Sequence, residues 1–366
     1  MRKLYIVILC ACLLISCKSG NPDISGIQMN IEIQRLDRDI FDSAVDSLRQ
    51  KYGVFFDYYT NGILDIGIYR DSSFREYLEL FKNNETVKNA SEGVNKQYPD
   101  LEKLNAKFTA AFKYYRHYFP DKYIPKIYTY ISGFNQNLIL TDSVLAIGLD
   151  KYLGADYKLY NDKNSISTPF SIFDRWFLIQ ITDSKIQTYL KNSSHSVSIL
   201  YDDLRIPKYL SRNMNGDKIV SDCISEWIKS EWILNLRKSN DLVSKMLYEG
   251  KILYATKMIL PDEADSLVFG FSTEQIKWCE NNESTMWRTL TSAKLLFSTD
   301  HFAIKKLTDP APYTVEFTGD SPGKACNWIG YNIISRYMSR NPQINLHQMM
   351  NNEDYHKIFE QARYKP

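Results

Sequence analysis

Apolar residues recur at three- and four-residue spacing through residues 240–258, and this period predicts an amphipathic helix. Its apolar face consists of Val243, Met246, Leu247, Gly250, Leu253 and Tyr254. Gly250 costs a helix roughly 1 kcal/mol relative to alanine, so its presence predicts a neighbour that packs closely there. Glu249 lies on the shoulder of the apolar face, where its carboxylate is either a satisfied buried anchor or a functional group.

The helical period recurs along most of the chain and gives way to strand-like patterns in a few places. Further helices are predicted at residues 71–90, 101–118, 219–237, 283–297, 324–339 and 345–363. Short strands are predicted at residues 31–36, 126–131, 138–140 and 144–149. The pattern therefore predicts an α+β fold that is predominantly helical, with a small antiparallel sheet followed by a helical C-terminal half.

The N-terminus has the pattern of a secretory leader. Basic residues precede an apolar run at residues 4–15, which is shorter than the roughly 20 residues that a membrane-spanning helix needs. The run ends in Ile15-Ser16-Cys17, which resembles a bacterial lipobox, and an ordinary leader with a chance cysteine is the alternative. We therefore predict a signal peptide at 1–16, a lipidated Cys17 with a polar tether at 17–30, and a single domain at 31–366 with a variable excursion at 165–205.

Composition narrows the function without naming it. The formal net charge is +2, so no large basic field points to nucleic acid as a partner. Beyond the leader and Cys17, the cysteines are Cys223, Cys279 and Cys326, an odd number without CxxC spacing. One disulfide could form among them in an oxidising compartment, whereas their spacing argues against a zinc site. The chain contains none of the GxSxG, P-loop or strand–GxGxxG–helix signatures.

Several distinctive blocks of sequence follow one another along the chain: YTYISGFNQNLIL at 128–140, IGLDKYLGADY at 147–157, LYEGKILY at 247–254, WCENNE at 278–283, APY at 311–313, SPGKACNWIGY at 321–331 and YKP at 364–366. In this order they resemble the gliding motility lipoprotein GldB family of Bacteroidetes. The chain departs from the family pattern at residues 165–200, which are longer than expected. The resemblance implies a membrane-anchored lipoprotein on the periplasmic side, associated with the motility machinery and its coupled secretion system.

The family also resembles zinc-peptidase-like folds, which implies a comparison of the helix at 240–258 with the HExxH helix of zincins. With Glu249 in the glutamate position, Tyr248 and Ile252 occupy the two histidine positions, so both metal ligands are missing. Glu283 could imitate a downstream carboxylate ligand, but carboxylates without histidine do not make a zinc site. We therefore predict no metal and no cofactor, and a candidate polar centre of Tyr248, Glu249, Lys251 and Glu283.

Three functional hypotheses remain open. The first is a non-catalytic, zincin-like envelope component with protein partners and a lipid anchor in the inner or outer membrane. The second is a peptidase-like hydrolase that uses Glu249 as its base. The third is a lipoprotein that binds glycans or peptides, although Trp227 and Trp232 are expected in the core rather than in a sugar-binding platform.

Overall fold

The computed structural model describes residues 21–158, 206–236 and 240–366. The predicted signal peptide, Cys17 and the excursion at 165–205 lie outside these residues. Within them, no helix combines the length and apolar character needed to cross a bilayer.

A layer of helices forms the N-terminal part of the domain. In chain order it contains β1 Gln34–Arg35, α1 Leu36–Asp42, α2 Val45–Tyr52, α3 Val54–Tyr58, a π-helical turn Tyr59–Ile63, α4 Phe74–Asn83, α5 Glu85–Gln97 and α6 Glu102–Tyr118. The predicted strand at 31–36 is reduced to two residues. Its earlier amide groups, those of Ile31 and Ile33, donate instead to the side chains of Thr109 and Asn105 on α6.

The sheet contains β1 and three further strands, β2 Lys126–Tyr130, β3 Leu138–Leu140 and β4 Val144–Gly148, in the order β1-β2-β4-β3. Only the β3–β4 pair is antiparallel, and β2 pairs in parallel with both β1 and β4. The prediction of an antiparallel sheet was therefore wrong for two of the three pairs.

A buried carboxylate lies where the chain crosses the end of the sheet. Asp150 follows β4, is fully buried, and accepts hydrogen bonds from the amides of Ser132 and Phe134 at 3.0 and 2.7 Å. These bonds hold the chain that leaves β2 against the end of β4, on its way to β3 at the far edge of β4. Burial raises the pKa of Asp150, although these hydrogen bonds and the charge of Lys151 oppose the rise.

The two faces of the sheet contribute to separate hydrophobic cores. Tyr128, Tyr130 and Ala146 pack with the apolar residues of α1–α4 in the smaller core. Ile127, Leu145 and Ile147 face the opposite way, as expected for alternating strand residues, and join the larger core with α5 and α6. The fold therefore places α4 and α6 on opposite sides of the sheet.

The C-terminal half is helical, as predicted. It contains a 3₁₀ turn Leu149–Tyr152, then α7 Lys208–Ser211, a 3₁₀ turn Gly216–Lys218, α8 Ile219–Glu231, α9 Ile233–Leu236, α10 Leu242–Ile259, α11 Asp265–Phe269, α12 Thr273–Ser292, α13 His301–Thr308, α14 Ala325–Arg340, α15 Leu346–Asn351 and α16 Tyr355–Ala362. The α+β, predominantly helical class is confirmed.

Helix α10 is the predicted central helix, and it begins where the Asp241 side chain accepts a hydrogen bond from the Ser244 amide at 2.9 Å. Its buried residues lie on several faces rather than on one stripe, which is typical of a helix surrounded by protein. A Cβ atom placed on Gly250 would lie 2.3 Å from the backbone carbon of Gly330 on α14. The predicted close contact at Gly250 is therefore confirmed, and it is a backbone-to-backbone contact between two helices.

Candidate functional site

Glu249 is held on both sides by lysine ammonium groups. Its Oε1 atom lies 2.8 Å from Nζ of Lys245, one turn earlier on α10, and its Oε2 atom lies 3.6 Å from Nζ of Lys229 on α8. The Glu249 side chain is 14% exposed, so both ion pairs lie at the edge of the protein interior. The carboxylate is therefore compensated by charges from its own helix and from a neighbouring one.

The electrostatics favour a permanently ionised Glu249. Burial raises the pKa of the carboxyl group, but the charges of Lys229, Lys245 and Lys324 together outweigh burial and lower the pKa to about 2. A general base for neutral pH needs a pKa much closer to 7. In this setting Glu249 behaves as a fixed anion.

The ion pairs of Glu249 continue along α8 as a row of alternating charges. Lys229 pairs with Glu226 at 3.1 Å, and one turn earlier Lys218 pairs with Asp222 at 2.7 Å. Asp222 also accepts a hydrogen bond from the Tyr152 hydroxyl at 3.2 Å, which connects the row to the turn after β4. The row therefore runs along α8 from the end of the sheet to Glu249.

Lys324 brings another ammonium group close to this row. It precedes α14 with a left-handed backbone (φ 55°), in a loop that two hydrogen bonds of the Thr314 hydroxyl hold in place. Burial, with the charges of Lys218 and Lys229, lowers the pKa of Lys324 to about 8. The segment at 321–324 is thus a tight connection into α14, which begins at Ala325.

Tyr248, the neighbour of Glu249, is 2% exposed. The ammonium group of Lys245 lies 5.4 Å from the centre of its ring, within the range of a cation–π contact. Within the described residues its hydroxyl group has no hydrogen-bond partner. Burial, followed by the charge of Glu249, raises the pKa of Tyr248.

Lys251 points to a different environment. It is 1% exposed, donates a hydrogen bond to the backbone oxygen of Asn352, and lies 4.8 Å from the centre of the Tyr355 ring. No carboxylate among the described residues forms an ion pair with it, and burial lowers its pKa to about 7. Lys251 therefore ties α10 to the corner between α15 and α16 through uncharged partners.

Glu283 lies in a third environment, on α12. Its Oε1 atom accepts hydrogen bonds from the Asn332 side chain at 2.8 Å and from the Tyr364 hydroxyl. These contacts fix the C-terminal residues beside a shallow cleft of about 610 Å³. The residues lining the cleft include Glu280, Trp328, Arg336 and Lys365.

The predicted polar centre is therefore divided. Tyr248 and Glu249 lie together, Lys251 faces α15 and α16, and Glu283 secures the C-terminus. The division arises because Glu249 and Lys251 project from α10 in directions about 200° apart, and no contact joins either residue to Glu283 among the described residues. Sequence reasoning missed Lys229, Lys245 and Lys324. The four-residue spacing of Lys245 and Glu249 was a signal for one of them, whereas the other two are brought in by tertiary packing.

The remaining candidates are structural. Trp227 and Trp232 are 1% and 5% exposed, which confirms their place in the core. Cys223, Cys279 and Cys326 are buried free thiols. Among the described residues, no group of three His, Cys, Asp or Glu side chains lies close enough together to hold a metal ion.

Comparison with known proteins identifies one family. The model of the family described as gliding motility protein GldB matches residues 17–172 and 178–366. No curated protein and no solved structure matches the chain, so the relation to zincins stays a prediction.

Proposed function

Because the chain belongs to the gliding motility protein GldB family, we propose that it is a lipid-anchored envelope protein that serves the motility machinery without catalysing a reaction. The anchor is Cys17, and the folded domain stands on the periplasmic side of the inner or outer membrane. Its partners are other envelope proteins, and it needs no cofactor.

The non-catalytic role is supported by the ion pairs and the lowered pKa of Glu249. Two lysines occupy its two oxygen atoms at 2.8 and 3.6 Å, and the pKa of the carboxyl group is lowered to about 2. A hydrolase that used this group as its base would have to separate it from both ammonium groups first. The arrangement instead suits a carboxylate that joins α8 to α10.

Replacement of Glu249 by glutamine tests this role. We expect Glu249→Gln to lower the melting temperature, because Lys245 loses its counter-ion and Lys229 keeps only Glu226. Gliding and secretion should then fall only in proportion to the loss of folded protein. The readouts are thermal unfolding of the purified protein and gliding or secretion in a deletion strain that expresses the variant. A normal melting temperature combined with complete loss of function would support the hydrolase instead.

The anchor has its own test. We expect Cys17→Ala to release the protein from the membrane fraction, because the variant lacks the residue that carries the acyl chains. A Cys223→Ala variant, which alters a buried thiol, is the control and should remain membrane-bound. Retention of Cys17→Ala in washed membranes would rule out this anchor.

A second candidate function is binding of a peptide or glycan in the cleft beside Glu283. The cleft combines the Trp328 ring with charged groups of both signs and the side-chain amide of Asn332. Such a mixture can orient a polar chain against an aromatic surface. Glu280→Gln with Arg336→Ala, both exposed positions, should abolish binding of peptidoglycan fragments measured by calorimetry, and unchanged binding would exclude the cleft.

A further inference from the structure

The N-terminal segment lies along helix α6 in a defined direction. The amide of Ile31 donates to Thr109 at 2.9 Å, and that of Ile33 donates to Asn105 at 3.1 Å. Residue numbers rise along the segment while they fall along α6, so the two run antiparallel. The segment therefore enters the domain beside α6.

The position of Ile24 limits how far the domain can lie from its anchor. Ile24 and Asn30 line a shallow groove together with residues of α6 from Glu102 to Lys113. The seven residues from Cys17 to Ile24 span at most about 25 Å when fully extended. The bilayer that holds a lipidated Cys17 must therefore lie within about 25 Å of this groove.

The solvent-exposed side of α6 has a composition that suits an anionic bilayer. Lys103, Lys107 and Lys113 surround the small side chains of Ala106 and Ala110, which are exposed. We call these five residues the α6 face. Around the helix they occupy an arc of about 120° at 100° per residue, so they can meet one flat surface together.

The charge of the α6 face exceeds that of the whole chain, whose formal net charge is +2. One of its lysines, Lys107, lies 3.3 Å from Glu263 and is partly compensated, with 46% of its side chain exposed. No ion pair to Lys103 or Lys113 is present among the described residues. Glu102, at the start of α6, is the acidic residue of the helix that borders the face.

We propose that the α6 face rests on the anionic headgroups of the bilayer that holds the lipid anchor. The proposal rests on the lipidation of Cys17 proposed above, because the anchor brings the bilayer within reach of the face. Lysine ammonium groups close to an anionic surface are attracted to its headgroups. The face therefore supplies orientation, while the acyl chains supply the stable attachment.

A spin label placed on the face can report its contact with lipid. The full-length lipidated protein, reconstituted in vesicles of phosphatidylcholine and phosphatidylglycerol, would carry either Ala110→Cys or the control Leu80→Cys. Leu80 is 61% exposed on α4, on the other side of the sheet, and the three native thiols of the described residues are buried. We expect a nickel-chelating lipid to relax the label at 110 at least severalfold more than the label at 80.

Equal relaxation at the two positions would overturn the proposal. A label at 110 that is immobilised but not relaxed by the nickel lipid would also overturn it, because that result would place a protein rather than a bilayer on the face.

Charge reversal provides an independent measurement that does not need the anchor. In the mature chain that begins at residue 17 and carries Cys17→Ala, we expect weak sedimentation with phosphatidylglycerol vesicles at low salt, absent with phosphatidylcholine alone. Lys103→Glu with Lys113→Glu should reduce it at least tenfold. Arg70→Glu with Arg75→Glu makes the same change in charge at exposed positions of the opposite layer and should leave it unchanged.

The two proposals fail in different ways. Equal losses in the two charge-reversed pairs, or no vesicle binding by the Cys17→Ala protein, would overturn the α6 face even if the lipid anchor is real. Membrane retention of Cys17→Ala in cells, with selective loss on charge reversal of the face, would overturn the anchor and leave the face as a surface that binds lipid by itself.

Discussion

Glu249 and Lys251 are separated by one residue on α10, yet Glu249 is paired with opposite charges and Lys251 has only uncharged partners. Glu249 meets ammonium groups from two helices, and its pKa is lowered to about 2. Lys251 is more deeply buried but meets a backbone oxygen and an aromatic ring, and its pKa is lowered to about 7. Burial opposes ionisation at both positions, so the difference arises from the partners.

Gly250 stands between these two environments and brings α14 against the backbone of α10. Of these three consecutive residues, Glu249 forms ion pairs, Gly250 allows two helices to pack closely, and Lys251 connects α10 to α15 and α16. A charged residue on a central helix can therefore be structural whether its partners are ions or uncharged groups, provided that its hydrogen bonds are satisfied. Substitutions that change the environment of Glu249 or of Lys251 and leave the other intact can test this.

The largest effect is expected from the residue that separates the two environments. Gly250→Ala should destabilise the protein by about 3 kcal/mol, because the added Cβ would lie 2.3 Å from the Gly330 backbone, where no side chain can move aside. Urea unfolding measures the change. Gly319→Ala is the matched control, since a Cβ there meets nothing within 4 Å. Similar stability of the two variants would contradict the helix crossing.

The uncompensated cation should make stability depend on pH. The folded-state pKa of Lys251 is about 7 and lies below its ordinary value of 10.5, so the unfolded chain binds more protons between these values and stability rises with pH. Relative to Lys251→Met, wild type should gain about 2 to 3 kcal/mol between pH 6.5 and 9.5.

Parallel urea titrations at the two pH values measure this gain for Lys251. The exposed Lys277→Met serves as the control and should show no such change. A constant difference between wild type and Lys251→Met would indicate that the ammonium group is better compensated than its partners suggest.

The contribution of the Glu249 carboxylate to stability should depend on pH in the acidic range. Glu249→Gln should cost about 2 kcal/mol at neutral pH, because Lys245 loses its counter-ion and Lys229 keeps only Glu226, at a site that is largely buried. The folded pKa lies below the ordinary value of 4.5, so this contribution is present above pH 4.5 and is lost as the pH falls towards 2.

Chemical unfolding between pH 3 and 7 measures this dependence. Glu226→Gln, which removes the other carboxylate paired with Lys229 but leaves the Lys245–Glu249 pair, should cost less because Glu226 is 40% exposed. An equal cost for both variants would show that the Lys245 pair adds nothing.

The smallest effect concerns the start of α10, upstream of both environments. Asp241→Ala should cost about 1 kcal/mol, because the Ser244 amide loses its acceptor. Asp241→Asn keeps an acceptor at that position and removes only the charge near His356, so it should lie close to wild type in thermal unfolding. If both variants lost the same stability, the pair with His356 would matter more than the cap.

Parts of this structure follow from local sequence alone. The spacing of apolar residues predicts α10 within two residues at each end, because that period arises within one helix. Gly250 predicts that some neighbour packs closely, whereas the neighbour itself, Gly330 on α14, is known only from the structure. The topology of the sheet could not be predicted in this way. It involves contacts between residues that no periodic pattern links, such as the hydrogen bonds from the amides of Ser132 and Phe134 to Asp150.

The candidate site shows the same limit. The sequence by itself determined which charged residues lie on the central helix, and its four-residue spacing contained a signal for the Lys245–Glu249 pair that the sequence analysis did not use. Only the tertiary structure decided that Lys229 reaches Glu249 from α8, that Lys251 turns to α15 and α16, and that Glu283 holds the C-terminus. The physical reason is that the free energy of a buried charge is set by its neighbours in space, and most of these neighbours are distant in sequence.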